Sequence, residues 1–159
     1  MTQTKLNNQE SVIYASFGRR LAAYVIDGLI LSVIVSILGA VGVLSFFGVN
    51  FDASQLQDPT YSIANNKGYL YATFLIGMLY YTILQSSKWQ ATIGKKLLGM
   101  KVVTLEGERI SFIRALIRHL VMFSISSIFY IGFIMALFTK KKQALHDLLA
   151  KTLVIKVQK

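Results

Sequence analysis

Three long stretches of the chain carry no charged residue. They run over Gly28–Phe51, Gly68–Ser87 and Leu120–Thr139, with 24, 20 and 20 residues. Each is longer than the roughly 18 apolar residues that mark a candidate transmembrane helix. The one proline, Pro59, lies between the first two stretches in a segment rich in turn-forming residues. The pattern predicts an all-α membrane protein with three apolar transmembrane segments.

The boundaries of the predicted elements follow from where the charged residues resume. We predict helix one over about residues 20–47, helix two over about 69–86, and an amphipathic helix plus the third segment over about 110–139. Isoleucines at helical spacing, with two arginines four residues apart, indicate that this last element lies on the membrane surface before it enters the bilayer. A basic cytoplasmic tail at 140–159 completes a single domain over 1–159.

Two β-prone segments flank the third apolar stretch. Residues Lys101–Arg109 have the pattern of a short strand that turns at Glu106-Gly107, and Thr152–Val157 is rich in β-branched residues. We predict that the second segment pairs with Lys101–Leu105. The fold would then carry a small cytoplasmic β-hairpin or strand element beside its helices.

The distribution of Lys and Arg predicts the orientation. The N-terminal tail has three, the first loop one, the connector Ser86–Ser111 five and the C-terminal tail six. Cytoplasmic segments carry the excess of Lys and Arg, so we predict that both termini and the connector are cytoplasmic. A single crossing at Leu120–Thr139 would place the tail outside, and two complete crossings need about 40 residues. We therefore predict a broken or re-entrant third segment, with the break near Ser124–Gly132.

Composition excludes several classes of function. The hydrophobic fraction is 54% and the charged fraction 15%, against about 25% in soluble domains. The net charge of +10 comes from cations beside apolar stretches, which suits an anionic lipid surface better than nucleic acid. The chain has no cysteine and two isolated histidines, so we expect no disulfide, metal site or cofactor. No nucleophile–base set can be assembled, and we expect no enzymatic activity.

Asp27 is the most informative residue, because an acid in a membrane helix costs roughly 2.5–3.5 kcal/mol unless it has a partner or water. Arg20 precedes it by seven residues, two turns away on the same helix face, with a rise of about 10.5 Å between them. Two interpretations stay open. Asp27 could bind a proton or cation with its pKa tuned by Arg20, or it could pin helix one near the interface through hydrogen bonds.

Asp147 follows the third stretch and has two interpretations. It could pair across the fold with Arg20 or with Arg114 and Arg118, or it could be a surface acid that balances Lys140–Lys142. For Arg114 and Arg118 themselves, the pattern favours snorkelling cations that hold an interfacial helix against anionic lipid. Binding of a substrate anion is the alternative for these two arginines.

Three ordered motifs resemble the RDD family of bacterial integral membrane proteins, named for one arginine and two aspartates. They are RLAAYVID at Arg20–Asp27, TIGKKLLGMKVV at Thr92–Val103 and KQALHDLLAKT at Lys142–Thr152. The resemblance extends from about Tyr14 to Val157 and departs at Lys151, where the family often has glycine.

The resemblance implies a site and a function. Arg20, Asp27 and Asp147 would be the named triad, with Arg114 and Arg118 as supporting basic residues. The protein would be a multi-pass protein of the bacterial inner membrane that transports an ion or small solute through an Asp/Arg pair. Some family members are implicated in Na⁺/H⁺ exchange, so H⁺ and Na⁺ are the expected ions.

Three or four short helices are too few to enclose a transport pathway alone. The transport hypothesis therefore requires a homo-oligomer or a membrane-protein partner within the lipid bilayer. The alternative is a membrane-bound regulatory or assembly factor that binds another membrane protein. Its docking surface would be basic and cytoplasmic, formed by Lys95, Lys96 and Lys140–Lys142.

Overall fold

Helices make up most of the computed structural model, which describes residues 13–49, 66–129, 138–139 and 141–157. In chain order the elements are α1 (Phe17–Ala40), a 3-10 helix (Val43–Phe47), α2 (Lys67–Ser86), α3 (Ile93–Leu97), β1 (Met100–Thr104), α4 (Phe112–Phe129), α5 (Leu145–Leu149) and β2 (Thr152–Lys156). A mostly helical fold with one small sheet agrees with the predicted class. The main chain stays α-helical through Phe129, and the rest of the predicted break, residues 130–132, lies outside the described residues.

Helix α1 ends before the predicted boundary at about residue 47. Its last residue is Ala40, and Gly42 then adopts a left-handed conformation with φ of 77°. Glycine reaches this conformation without a steric penalty, and the chain continues as the 3-10 helix. The next helix, α2, begins two residues before the predicted start, where the Asn66 side chain accepts a hydrogen bond from the Tyr69 amide at 3.1 Å.

The long helices bury small and polar side chains and expose large aliphatic ones. The buried residues of α1 are Arg20, Ala23, Asp27, Val35 and Gly39. Those of α2 are Ala72, Gly77, Tyr81, Thr82, Gln85 and Ser86. The exposed aliphatic residues include Leu21, Val25, Leu29, Val33, Ile37, Leu70, Leu79 and Ile83. This arrangement reverses that of a water-soluble helix and is the one expected of helices that face lipid.

Helix α4 follows the same rule. Two isoleucines of the predicted apolar stripe, Ile113 and Ile117, are exposed, whereas its first member, Ile110, is buried before α4 begins. Ala115, Arg118 and His119 of α4 are buried as well. The isoleucine face therefore points outward, as predicted for a membrane-contacting helix. The inner face carries Arg118 and His119 instead.

One helix in the described part of the chain, α1, is long and apolar enough to cross a membrane by itself. Its most apolar 18-residue window has a mean hydropathy of 2.4, and 17% of that window is buried. The first of the three predicted transmembrane segments is supported on this ground. The second and third remain predictions.

The two strands confirm the predicted pairing of the connector with the tail. β1 and β2 are antiparallel, in a register that runs from Met100 opposite Lys156 to Thr104 opposite Thr152. After β1 the chain turns through Glu106-Gly107, as predicted. The Thr104 amide donates to the Glu108 carbonyl across this turn, and the Thr104 carbonyl accepts from the Gly107 amide.

The N-terminal segment joins the same sheet. The Ala15 amide donates to the Val154 carbonyl at 2.9 Å, and the Lys156 amide donates to the Ile13 carbonyl at 2.8 Å. The N-terminal segment, the connector and the C-terminal tail therefore meet at one end of the helices, which we call the sheet end. We call the opposite end the far end. There, Val35 of α1 packs with Ala72 of α2 and with Leu44 and Val49, which follow α1 in the chain.

Candidate functional site

Asp147 lies at the centre of the sheet end. It is the third residue of α5, and its Oδ2 accepts a hydrogen bond from the Ala144 amide at 3.1 Å and another from Arg20 Nη1. Its Oδ1 lies 2.6 Å from Arg118 Nη1. Asp147 is 0% exposed, Arg20 4% and Arg118 3%. We call these three residues the ion-pair cluster.

The two arginines also hold the surrounding backbone. Arg20 donates from Nε to the Ala15 carbonyl at 3.2 Å and from Nη2 to the Val154 carbonyl at 3.4 Å. Arg118 Nη1 donates to Thr152 Oγ1 at 2.9 Å. The ion-pair cluster thereby joins α1 and α4 to α5, β2 and the N-terminal segment.

The electrostatics of α5 follow from this burial. Burial alone raises the pKa of Asp147, but the positive charges of Arg118 and Arg20 outweigh it and hold that pKa well below its usual value. Burial lowers the pKa of His146 to about 3, although the neighbouring Asp147 carboxylate opposes the shift. At neutral pH the cluster is therefore an ionised acid with two arginines beside a neutral histidine.

Asp27 forms a second buried centre with neutral partners. Its Oδ1 accepts hydrogen bonds from the Tyr80 hydroxyl at 2.7 Å and from the Gly94 amide at 2.8 Å. Its Oδ2 accepts from Thr92 Oγ1 at 2.6 Å. Within the described residues, Asp27 has no ion pair within 4 Å. The carboxylate therefore attaches the start of α3 to α1 and α2 through three donors.

Gly94 permits this attachment because it carries no side chain. A Cβ at this position would lie 2.4 Å from the Ala23 carbonyl oxygen and 2.9 Å from Asp27 Oδ1. The backbone of α3 therefore approaches α1 more closely than any other residue type would allow.

A small cavity lies between Asp27 and the two arginines of the ion-pair cluster. Its volume is about 20 Å³, room for about one water molecule, and its charged walls are Arg20, Asp27, Lys95 and Arg118. His146 lines it from α5. We call this space the charged chamber.

A larger cavity of about 420 Å³ lies between α1, α2 and α4. Its polar side chains include Thr73 and His119, and the His119 ring stacks on the Tyr81 ring at a centroid distance of 5.0 Å. This interhelical cavity shares three wall residues with the charged chamber: Tyr24, Tyr81 and Met122.

The structure brings together two of the three predicted triad residues. Arg20 and Asp147 form the ion pair, whereas Asp27 sits across the charged chamber and does not pair with Arg20. The predicted Asp/Arg pair therefore exists, but its acid is Asp147. For Asp27, hydrogen bonding that pins helix one is the interpretation that the contacts match.

Several charged residues lie elsewhere than the sequence suggested. The surface interpretation of Asp147 is wrong, because two guanidiniums enclose it. The snorkelling interpretation of Arg118 is wrong for the same reason, whereas Arg114 is exposed. Lys95 is only 9% exposed and cannot belong to the predicted docking surface, and Lys140 lies outside the described residues.

Sequence reasoning missed the partners of Asp27. One signal was available for Thr92, because threonine directly before a short helix is a favoured N-cap, and its Oγ1 accepts from the Lys95 amide at 3.5 Å. Tyr80 gave no such signal among the many aromatic residues of α2.

Comparison with known proteins places the chain in a family. The model of the RDD family matches residues 14–151, and the chain belongs to this family of membrane proteins. It is similar to an uncharacterized protein, YxaI, of Bacillus subtilis (strain 168). The two are 39% identical over 149 residues, which cover 89% of this chain and 96% of that protein. No solved structure matches the chain.

Proposed function

We propose that this protein is a non-enzymatic transport protein or transport subunit for an ion or small solute, with H⁺ and Na⁺ as the first ions to test. The observation that carries the proposal is the contact between the two cavities. The charged chamber and the interhelical cavity share three lining residues, which are Tyr24, Tyr81 and Met122. Movement of these side chains would connect a solute-sized space to buried charges.

The proposal places all three long helices in the bacterial inner membrane. The outward-facing aliphatic residues of α2 and α4 match those of α1, which supports lipid contact for each. α4 begins at the sheet end, and α5 also lies at that end. This shared location supports a re-entrant third segment. The excess of Lys and Arg supports a cytoplasmic sheet end.

The charged residues have separate roles in this mechanism. The ion-pair cluster fixes the wall of the charged chamber, because it joins four elements and the N-terminal segment. Asp27 supplies the acid on the opposite wall, and its carboxylate oxygens, held by the Tyr80 hydroxyl and Thr92 Oγ1, would accept a proton or coordinate a cation. Substitution of Asp27 should therefore reduce transport and leave the contacts of the ion-pair cluster in place.

The test is flux in proteoliposomes of purified protein under imposed pH and Na⁺ gradients. We expect gradient-driven flux from wild type, its loss in Asp27→Asn, and its retention in Glu106→Gln, which changes an exposed acid in the turn after β1. Equal flux in wild type and Asp27→Asn would reject a role for Asp27. No flux from folded wild type, alone or with a co-purified partner, would reject transport.

The transport proposal also requires an assembly, since three helices surround the interhelical cavity only in part. A homo-oligomer or a complex with another membrane protein would complete the wall. Light scattering coupled to size-exclusion chromatography in detergent measures the protein mass. A monomer at all concentrations, with no co-purified protein, would contradict this part of the proposal.

A regulatory or assembly factor is the second candidate. The charges of the ion-pair cluster pair with one another, as expected of a rigid scaffold. Lys141 and Lys142 at the sheet end are exposed and could contact a partner. Reversal of both charges to Glu should abolish co-purification of a partner, whereas Arg114→Glu, an exposed change on α4, should not. Retained binding after the double reversal would count against this function.

A further inference from the structure

Lys95 is a buried amine that neither function requires. It lies on α3, is 9% exposed, and lines the charged chamber together with Arg20, Asp27 and Arg118. The hydrogen bonds from Thr92 and Gly94 to Asp27 hold α3 in place, so the position of Lys95 is set by the backbone beside it. Its neighbour Lys96 is exposed, with its Nζ 3.4 Å from the centroid of the Trp89 ring.

The charges around the chamber balance without Lys95. Arg20 and Arg118 carry two formal positive charges; Asp147, which pairs with both of them, and Asp27 carry two formal negative charges. A protonated Lys95 would add one uncompensated charge to a space that holds about one water molecule. An uncompensated buried charge is strongly disfavoured, and a buried lysine usually loses its proton instead.

The other titratable groups near Lys95 do not supply the missing negative charge. His146 on α5 is neutral at pH 7, and as a base it would add positive charge if it bound a proton. Tyr81 on α2 and His119 on α4 also face this region. Lys95 is therefore the group whose proton decides whether the chamber is neutral or positive.

We propose that Lys95 is a proton-binding site of the charged chamber. Its Nζ is a neutral amine in the balanced chamber and takes a proton from water to become an ammonium group, which returns the proton to water on deprotonation. The exchange changes the net charge of the chamber by one.

The electrostatic environment supports this site. Burial lowers the pKa of Lys95 to about 7, and the positive charge of Arg118 adds to the effect. The carboxylates of Asp147 and Asp27 oppose the shift without cancelling it. An ordinary lysine, with a pKa near 10.4, stays protonated throughout the physiological range.

Nuclear magnetic resonance tests the site directly. The protein, labelled with ¹³C-lysine, is titrated in detergent micelles while the Cε shifts are followed. We expect one Cε signal to titrate near pH 7, well below the ordinary lysine pKa of about 10.4. That signal should be absent in Lys95→Met and present in Lys96→Met. Titration of every lysine at high pH in wild type would overturn the proposal without any need for a variant.

Thermal unfolding gives a second measurement. Between pH 7 and about 10, the unfolded chain binds a proton at this lysine and the folded protein does not, so the stability of wild type should rise with pH. Lys95→Met should lose this rise, and Lys96→Met should retain it. An unchanged rise in Lys95→Met would assign the proton to another group. Both measurements use purified protein without a gradient, so they stand or fall independently of the transport proposal.

Discussion

At the sheet end, Arg20, Arg118 and Asp147 hold the helices through buried ion pairs. At the far end, among the described residues, Val35 and Leu44 do so through apolar contacts with Val49 and Ala72. Ion pairs and hydrogen bonds depend on direction as well as distance, whereas apolar contacts tolerate sliding and rotation. The difference indicates that the sheet end determines how the helices are aligned, while the far end supplies burial without specifying position.

The largest effect should come from removing the acid of the ion-pair cluster. Asp147→Asn leaves two buried guanidiniums without a counter-charge and should reduce the free energy of unfolding by about 3–5 kcal/mol. Denaturant titration in detergent micelles measures the change. Glu106→Gln, which alters an exposed acid, should leave stability unchanged. Equal stability of Asp147→Asn and wild type would remove the basis of the comparison between the two ends.

The far end should respond to lost volume. Leu44 is fully buried, so Leu44→Ala should destabilise the protein by about 3 kcal/mol through lost burial and a residual cavity. Phe46, on the same 3-10 helix, is 90% exposed, and Phe46→Ala serves as the matched control. The loss in Leu44→Ala should be the same at pH 5 and pH 7. A strong dependence on pH would contradict the apolar character assigned to this end.

The close approach of α3 to α1 predicts an intermediate loss of stability when Gly94 is replaced. Gly94→Ala forces a Cβ against the Ala23 carbonyl oxygen and should cost between about 1 and 3 kcal/mol by displacing α3 from Asp27. Gly28→Ala is the control. Gly28 lies on the same helix as Asp27, and a Cβ at this position would meet nothing within 4 Å. Thermal unfolding should show a lower midpoint for Gly94→Ala only. A similar loss in both variants would indicate a general effect of the added methyl group.

Acid should weaken the sheet end selectively. The pKa of His146 is about 3 in the folded protein and near 6.5 in the unfolded chain, so the unfolded chain binds the extra proton between these values. The contribution of His146 to stability should therefore fall by at most about 2 kcal/mol from pH 7 to pH 5. His146→Gln should reduce this fall, and Leu44→Ala should retain it. An acid loss that persists in full in His146→Gln would assign it to other groups.

The smallest effect concerns the surface of the sheet end. Lys96→Met removes the cation above the Trp89 ring and should cost about 0.5–1 kcal/mol. Lys88→Met, an exposed change one residue before Trp89, should have no measurable effect. Denaturation of both variants under identical conditions checks the difference. Equal results would show that the contact contributes nothing to stability.

Local patterns were sufficient to predict much of the fold. Absence of charge over about 20 residues predicted the long helices, and β-branched residues predicted the pairing of β1 with β2. The end of α1 was wrong because apolar character continues beyond Gly42, while a left-handed backbone stops the helix there. Hydropathy carries no information about that backbone conformation.

The site was less accessible to sequence reasoning. Arg20, Arg114 and Arg118 were all possible partners of Asp147, and only the rotation of α4 about its axis selects Arg118 over Arg114. Lys95 and Lys96 are adjacent and chemically identical, yet one is buried and the other exposed. Their difference depends on how Asp27 positions α3, which is a tertiary contact between residues more than 60 positions apart.

The ion pair between Arg20 and Asp147 has a consequence for biosynthesis. The two residues are 127 positions apart, and translation at about 5–20 residues per second separates their synthesis by about 6–25 s. During that interval the Arg20 guanidinium has no acid beside it. The ion-pair cluster therefore cannot form until the last segment of the chain is made. A chain that stopped before Asp147 would lack the contact that joins α1 to α5.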